Sequence, residues 1–174
     1  NKGNYSMEPL EREEQFEKYR AEGWEDEYFK YRKRWNENAK KHIVEEWPTH
    51  VDIELSTICN LKCPMCYTIT DEFKKCVGTQ FMDKDLFEKI VDEIEGHVPS
   101  VRLSLRGEAT LHPNFIEMIR YAKSHGIGEV SFLTNGSKLS DEFIREIIDA
   151  GADWITVSID GINKDYDEIR KPLK

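Results

Sequence analysis

The sequence predicts an α/β fold with parallel strands, preceded by a charged helical extension. Three observations predict it. From residue 50 onward, short runs rich in β-branched and aromatic residues alternate with longer stretches that carry one apolar face at helical spacing. Each strand-like run is followed by a helix-like run and not by a tight turn, so successive strands run parallel. The amino-terminal part also differs in composition. Of its first 49 residues 22 are charged, against 37 of the other 125, and this sets a boundary beside Pro48 between an extension over 1–49 and a core over 50–174.

Within the extension, Phe16 and Tyr19, then Trp24, Tyr28, Tyr31 and Trp35, recur at three-to-four spacing. That is the pattern of two amphipathic helices broken at Gly23. Such an aromatic stripe needs cover, from the core or from a partner. In the core, strands are expected at Val51–Ser56, Val101–Leu105, Glu129–Thr134 and Trp154–Ile159. The first helix after them shows Leu86, Phe87, Ile90, Val91 and Ile94 on one face. The second shows Phe115, Ile116, Ile119 and Ala122, and the third Phe143, Ile144, Ile147 and Ile148. Asp83 and Ser140 suit N-caps and Pro113 a first helical position, while Gly96, Gly126 and Gly151 suit left-handed C-terminal caps. Asp165–Arg170 is the last helix-like stretch.

The chain has 174 residues, enough for a sizeable core, and a formal charge of −9. That balance argues against a basic face for nonspecific nucleic-acid binding. No apolar run approaches the roughly 18 to 20 residues that span a bilayer, and no secretory stretch opens the sequence. The expectation is a cytoplasmic protein with no membrane partner, where thiols stay reduced. Four cysteines are too few for a disulfide scaffold in a chain of this length.

Three of those cysteines share one loop directly after the first strand, in the run Cys59-Asn60-Leu61-Lys62-Cys63-Pro64-Met65-Cys66. A structural zinc site closes with four protein ligands, and a cuboidal iron–sulfur cluster has four irons to ligate. Three thiolates on a cluster leave one iron free. Spacing alone leaves two other readings open: a zinc-stabilised interaction module that recruits Cys76 or a histidine, and an iron–sulfur electron-transfer protein, which normally takes all four ligands from protein. The remaining strand ends are polar as well. They read Ser104-Leu105-Arg106-Gly107-Glu108-Ala109-Thr110-Leu111-His112-Pro113, then Thr134-Asn135-Gly136, then Ser158-Ile159-Asp160-Gly161. In parallel α/β folds, ligands bind at the carboxyl ends of the strands. Taken singly, Asn135-Gly136 and Asp160-Gly161 are turn dipeptides, and His112 is a loop or capping residue.

Taken together and in this order, the Cys-x3-Cys-x2-Cys loop and the three strand ends resemble the radical S-adenosylmethionine (SAM) superfamily. The resemblance spans residues 51–171. It implies a partial barrel of six strand–helix units, so the core is expected to be the first four units of a partial (βα)6 TIM-like barrel. It implies that Cys59, Cys63 and Cys66 bind a 4Fe-4S cluster whose open iron chelates SAM, with Cys76 incidental. Gly107 and Glu108 match the family segment that meets the SAM amine, although Arg106 and Ala109 stand where that segment has glycine and proline. Asn135 corresponds to a segment beside the SAM methionine. Ser158 and Asp160 correspond to groups that bind the ribose hydroxyls or the carboxylate, and Met65 to a position whose backbone meets the adenine. The implied activity is reductive cleavage of SAM to a 5′-deoxyadenosyl radical that takes hydrogen from a peptide, sugar or small metabolite, with an electron donor as partner. Members of similar sequence carry a further C-terminal cluster domain. The chain is therefore expected to be a piece of a longer protein, incompetent for turnover alone, with such a domain or a partner chain covering the edge of its fourth strand.

Overall fold

Four parallel strands in chain order form the sheet: β1 (Val51–Asp52), β2 (Ser100–Arg102), β3 (Glu129–Thr134) and β4 (Trp154–Val157). This computed structural model describes residues 10–171. Val51 sits opposite Val101, Val101 opposite Val130, and Ser131 opposite Trp154. A doubly wound sheet reverses its strand order at a switch point. Here the order β1-β2-β3-β4 never reverses, so right-handed crossovers carry every connecting helix to the same face. All four carboxyl ends consequently open on the same side.

The helices that cover the sheet are α4 (Lys84–Ile94), α5 (Phe115–Ser124) and α6 (Asp141–Asp149). Their expected faces are the buried ones. Phe87 and Val91 of α4, Phe115 and Ile119 of α5, and Ile147 of α6 are closed off from solvent together with Val101, Val130 and Phe132 of the sheet. Phe115 meets Phe132 edge-on at 4.9 Å between ring centroids. Each such aromatic contributes about 1.5–3 kcal/mol by its burial. Asp83 accepts from the N–H groups of Asp85 and Leu86, and Ser140 from that of Phe143, as N-caps do. Pro113 is not the first helical residue. The His112 ring accepts the Asn114 N–H at 3.0 Å, and α5 starts only at Phe115, behind Asn114.

β2 and β4 end at Arg102 and Val157, short of the expected Leu105 and Ile159, the last helix runs Asn163–Ile169 and not Asp165–Arg170, and two departures shape the site. β1 stops at Asp52, because the chain beyond it leaves the sheet and pairs with residues 80–82: Thr57 N–H donates to Gln80, Met82 N–H donates to Leu55, and Ser56 bridges Phe81 antiparallel. A short helix not expected from the pattern, α3 (Asp71–Val77), follows the cysteine loop. Its start is fixed locally by Thr70, whose hydroxyl accepts the Phe73 N–H.

At the opposite end of the strands, polar groups close the core. Ser100 donates to the buried Glu129 carboxylate at 2.7 Å, the His50 ring contacts Ser100 at 2.8 Å and Asp52 at 3.0 Å, and Arg102 donates to Asp52 at 2.6 Å.

The chain divides between Glu46 and Trp47 into two compact units. The first holds α1 (Leu10–Ala21) and α2 (Glu25–Lys41), broken around Gly23. Part of the aromatic stripe buries within this unit. Tyr28 and Tyr31 are enclosed with Ala21, and Trp24 stacks on Tyr31 at 6.2 Å. The Tyr28 hydroxyl donates to Glu17 at 2.6 Å, and burial followed by that carboxylate holds its pKa well above the usual range. Among the described residues, no helix is long and apolar enough to cross a membrane.

Candidate active site

The carboxyl ends of the four strands open on one cavity of about 300 Å³. Cys59, Cys63, Met65 and Cys66 reach it from the loop after β1. Arg106, Gly107 and Glu108 come from the loop after β2, Asn135 from the end of β3 and Ser158 from the end of β4. Cys76 lies on α3, exposed, and is not part of this lining.

Glu108 is a buried carboxylate, 2% exposed, that joins two loops. Its Oε1 accepts from the Thr110 hydroxyl at 2.7 Å, the Thr110 N–H at 3.3 Å and the Thr134 hydroxyl at 2.7 Å. Among the described residues, its Oε2 accepts only the Asn135 N–H, at 2.7 Å. A carboxylate has about four lone-pair sites in all. With three donors already on Oε1, unused acceptor capacity remains on Oε2.

Gly107 is glycine for a steric reason. Its φ is +62°, and a Cβ there would stand 2.3 Å from the Ser56 carbonyl oxygen and 2.8 Å from that of Ile58. The β2 loop is thereby pressed onto the residues that precede Cys59, and Glu108 N–H donates to the Ile58 carbonyl at 2.7 Å. Two further bonds hold the cysteine loop from other sides. Asn60 donates to the Ser137 hydroxyl beyond β3 at 2.7 Å, and Lys62 N–H donates to the Lys171 carbonyl beyond β4 at 2.7 Å.

Sequence reasoning missed two cations of the cavity. Arg106 pairs with Glu54, its Nη2 donating at 2.8 Å, and its guanidinium lies 5.3 Å from the centre of the Phe73 ring on α3. Arg170, just after α7 (Asn163–Ile169), lines the cavity beside Cys63. Asp160 is not among the lining residues. Its carboxylate holds the Arg170 guanidinium instead. The signal for Arg106 was Glu54, one of two acidic residues in the strand-like run Val51-Asp52-Ile53-Glu54-Leu55, although its partner lies 52 positions away.

The donor set can be tested against the groups it would hold. A zinc ion gathers its thiolates onto one centre. Among the described residues, no three His, Cys, Asp or Glu side chains converge on a single ion in that way. A four-iron cluster instead takes each thiolate on a separate iron, and three free thiols spaced around one cavity match that need. Burial raises the pKa of the Cys59 thiol, while the N–H of Leu61 and the Asn135 amide act in the other direction. A carboxylate with spare acceptor capacity and a guanidinium share the cavity, which suits an amino acid's ammonium and carboxylate. The residues present fit a cluster with one open iron together with SAM.

Known proteins give the same direction. The family model described as the Radical SAM superfamily matches residues 53–174. The chain is 36% identical over 111 residues to a tungsten-containing aldehyde ferredoxin oxidoreductase cofactor-modifying protein of Pyrococcus furiosus, a match that covers 62% of this chain and 30% of that protein. It is 32% identical over 120 residues to a GTP 3′,8-cyclase of Chlorobaculum tepidum, covering 67% and 34%. This chain thus spans about a third of the length of these relatives. In fold it is similar to BtrN in complex with AdoMet and 2-DOIA, with a TM-score of 0.57 at 16% identity over 72% of this chain and 52% of that one. It is also similar to Streptococcus suis SuiB bound to S-adenosylmethionine, with a TM-score of 0.57 at 18% identity over 83% and 33%. With the family model covering residues 53–174, the strand–helix core beyond β1, and the three thiols set around the cavity at its strand ends, the chain belongs to the radical SAM superfamily.

Proposed function

We propose that residues 50–174 form the SAM-cleaving part of a radical SAM enzyme, with residues 1–49 as a helical extension to it. Members of the superfamily are enzymes that use a 4Fe-4S cluster and SAM. The observation that carries the reading is the meeting of three thiols, a buried carboxylate and a guanidinium on one cavity. When bound, a 4Fe-4S cluster held by Cys59, Cys63 and Cys66 would supply one electron for reductive cleavage of SAM, and the resulting 5′-deoxyadenosyl radical would take hydrogen from the substrate.

The protein's own part is holding and shielding. Cys59, Cys63 and Cys66 hold the cluster. Glu108 Oε2 accepts from the SAM ammonium, Arg170 meets its carboxylate, and Asp160 keeps that guanidinium in place. Ser158 offers its hydroxyl to the ribose, and the Met65 backbone meets the adenine. Leu61, Leu105 and Leu133 line the same space and give it an apolar wall. The substrate is a small molecule or a peptide, an electron donor is required, and the setting is the reducing cytoplasm. Ile159 and Ile162, 66% and 73% exposed beside β4, form the surface that an auxiliary domain or partner chain covers.

Anaerobic reconstitution with iron and sulfide tests the assignment. Cys59→Ala, Cys63→Ala and Cys66→Ala are each expected to lose the cluster's visible absorption, and Cys76→Ala to keep it. Full retention in Cys63→Ala, or complete loss in Cys76→Ala, refutes the ligand set.

A further inference from the structure

Asn135 is an amide whose orientation is settled inside the protein. Its Oδ1 accepts the backbone N–H of Ser137 at 2.9 Å. A backbone N–H only donates, so the oxygen must face it and Nδ2 must point the other way. There Nδ2 donates to Asn60 Oδ1 at 2.9 Å and to Cys59 Sγ at 3.8 Å. The residue is anchored at both ends. Its own N–H sits on Glu108 Oε2, and Asn60 is held by the Ser137 hydroxyl. Asn135 is 7% exposed, and both of its amide hydrogens are directed at protein atoms.

We propose that Asn135 acts on the cofactor through Cys59 and not by touching SAM: it is a positioning residue whose N–H raises the reduction potential of the cluster that Cys59 ligates. The inference rests on the cluster reading of the three thiols. Reduction adds negative charge that is shared with the ligating sulfurs, so a fixed N–H donor stabilises the reduced form more than the oxidised one. Cys59 also receives the Leu61 N–H at 3.4 Å. The sulfur of Cys66 has a different neighbour, the rotatable Thr68 hydroxyl at 2.9 Å, which can donate or accept. Cys63 has the Arg170 guanidinium beside it, so Cys59 is the ligand whose donors are two fixed, uncharged N–H groups.

The test uses the full chain after reconstitution. Iron and sulfide content is measured first, then the midpoint potential by anaerobic redox titration followed by electron paramagnetic resonance, then SAM affinity by calorimetry. Asn135→Ala is expected to load normally, to bind SAM as the parent does, and to be harder to reduce by about tenfold, a fall of about 59 mV for one electron. Asn135→Asp places a carboxylate oxygen beside the thiolate and is expected to lie lower still. That order, parent above alanine above aspartate, is not what a merely structural residue would give. Asn60→Ala keeps Asn135 but removes the carbonyl that aims it, and is expected to lower the potential partway. If Asn135→Ala fails to load, Asn60→Ala decides by the same measurement. An unchanged potential combined with weaker SAM binding overturns the proposal and returns Asn135 to a SAM contact. A parent chain that takes up no iron and sulfide overturns the cluster reading itself, and the content measurement distinguishes the two failures.

Discussion

Replacing Glu108 with alanine removes an acceptor that serves the protein and the proposed ligand at once. Inside the protein, the Thr110 and Thr134 hydroxyls are free to rotate once the carboxylate is gone, whereas the Thr110 and Asn135 N–H groups have fixed directions. Loss of the cap on Thr110 costs about 1 kcal/mol. A buried N–H left without a partner, as at Asn135, costs about 1–3 kcal/mol. The unfolding free energy should therefore fall by about 2–4 kcal/mol, read from urea titrations followed by circular dichroism. Glu108→Gln separates the two roles. The glutamine oxygen still serves the donors on the Oε1 side, but its amide nitrogen faces the Asn135 N–H, so about 1–3 kcal/mol is lost at that one contact. A charged hydrogen bond to the SAM ammonium is worth about 1.5–3 kcal/mol, which makes the expected loss of SAM affinity roughly 10- to 100-fold by calorimetry. An alanine variant as stable as the parent to within about 1 kcal/mol would refute the packing argument. A glutamine variant that binds SAM at full strength would refute the ligand argument.

Gly107→Ala should cost about 1–2 kcal/mol for its left-handed backbone and about 1 more for the Glu108–Ile58 bond that its Cβ pushes apart. Gly126→Ala, at a φ of +74° with nothing within 4 Å of its Cβ, should show only the backbone part, and equal losses at the two sites would count against a steric role for Gly107. Arg106→Ala should release α3, seen as faster tryptic cleavage at Lys74 and Lys75 with little change in thermal midpoint, and an unchanged cleavage rate would deny the contact with Phe73 any holding role. In the amino-terminal unit, Arg34 and then Asn38 hold the Glu45 carboxyl down to about 2 from an ordinary 4.5. A depressed carboxylate pKa gives stability that is present above about 4.5 and lost as pH falls toward about 2. Glu45→Gln should flatten the loss of helical circular dichroism across that window, and a variant as acid-sensitive as the parent would refute the clamp.

The helices of the core were legible because each had to bury one face. Phe87, Val91 and Ile94 announce α4 by spacing alone, and Asp83 marks its start. The end of β1 was not legible, because it depends on Leu55 and Thr57 finding residues 80–82, a pairing that no local pattern encodes. Helix α3 was missed for the opposite reason. Asp71-Glu72-Phe73-Lys74-Lys75-Cys76-Val77 offers only Phe73, Cys76 and Val77 at helical spacing, a single turn of apolar face, and a single threonine cap starts it. At the site, strand-end position foretold that Cys63, Glu108, Asn135 and Ser158 would share a space, since parallel strands in chain order put their ends side by side. Which atoms those groups bond was beyond the pattern. Glu108 divides its two oxygens between neighbouring loops, Asp160 turns to Arg170, and Arg106 turns to Glu54, all through partners brought close only by the fold.

The three backbone and amide bonds that fasten the cysteine loop bear on what would follow if the proposed cluster were lost. A zinc finger comes apart without its metal, since the ligands supply most of what holds it together. Here Ile58, Asn60 and Lys62 are each tied to a different neighbouring loop by protein atoms alone. The socket is therefore fastened by the polypeptide as well as by what it would bind. Oxygen that strips the inorganic core would silence the chemistry without unravelling the chain, and repair would then repeat metal delivery with no renewed folding. The protein outlasts its perishable part.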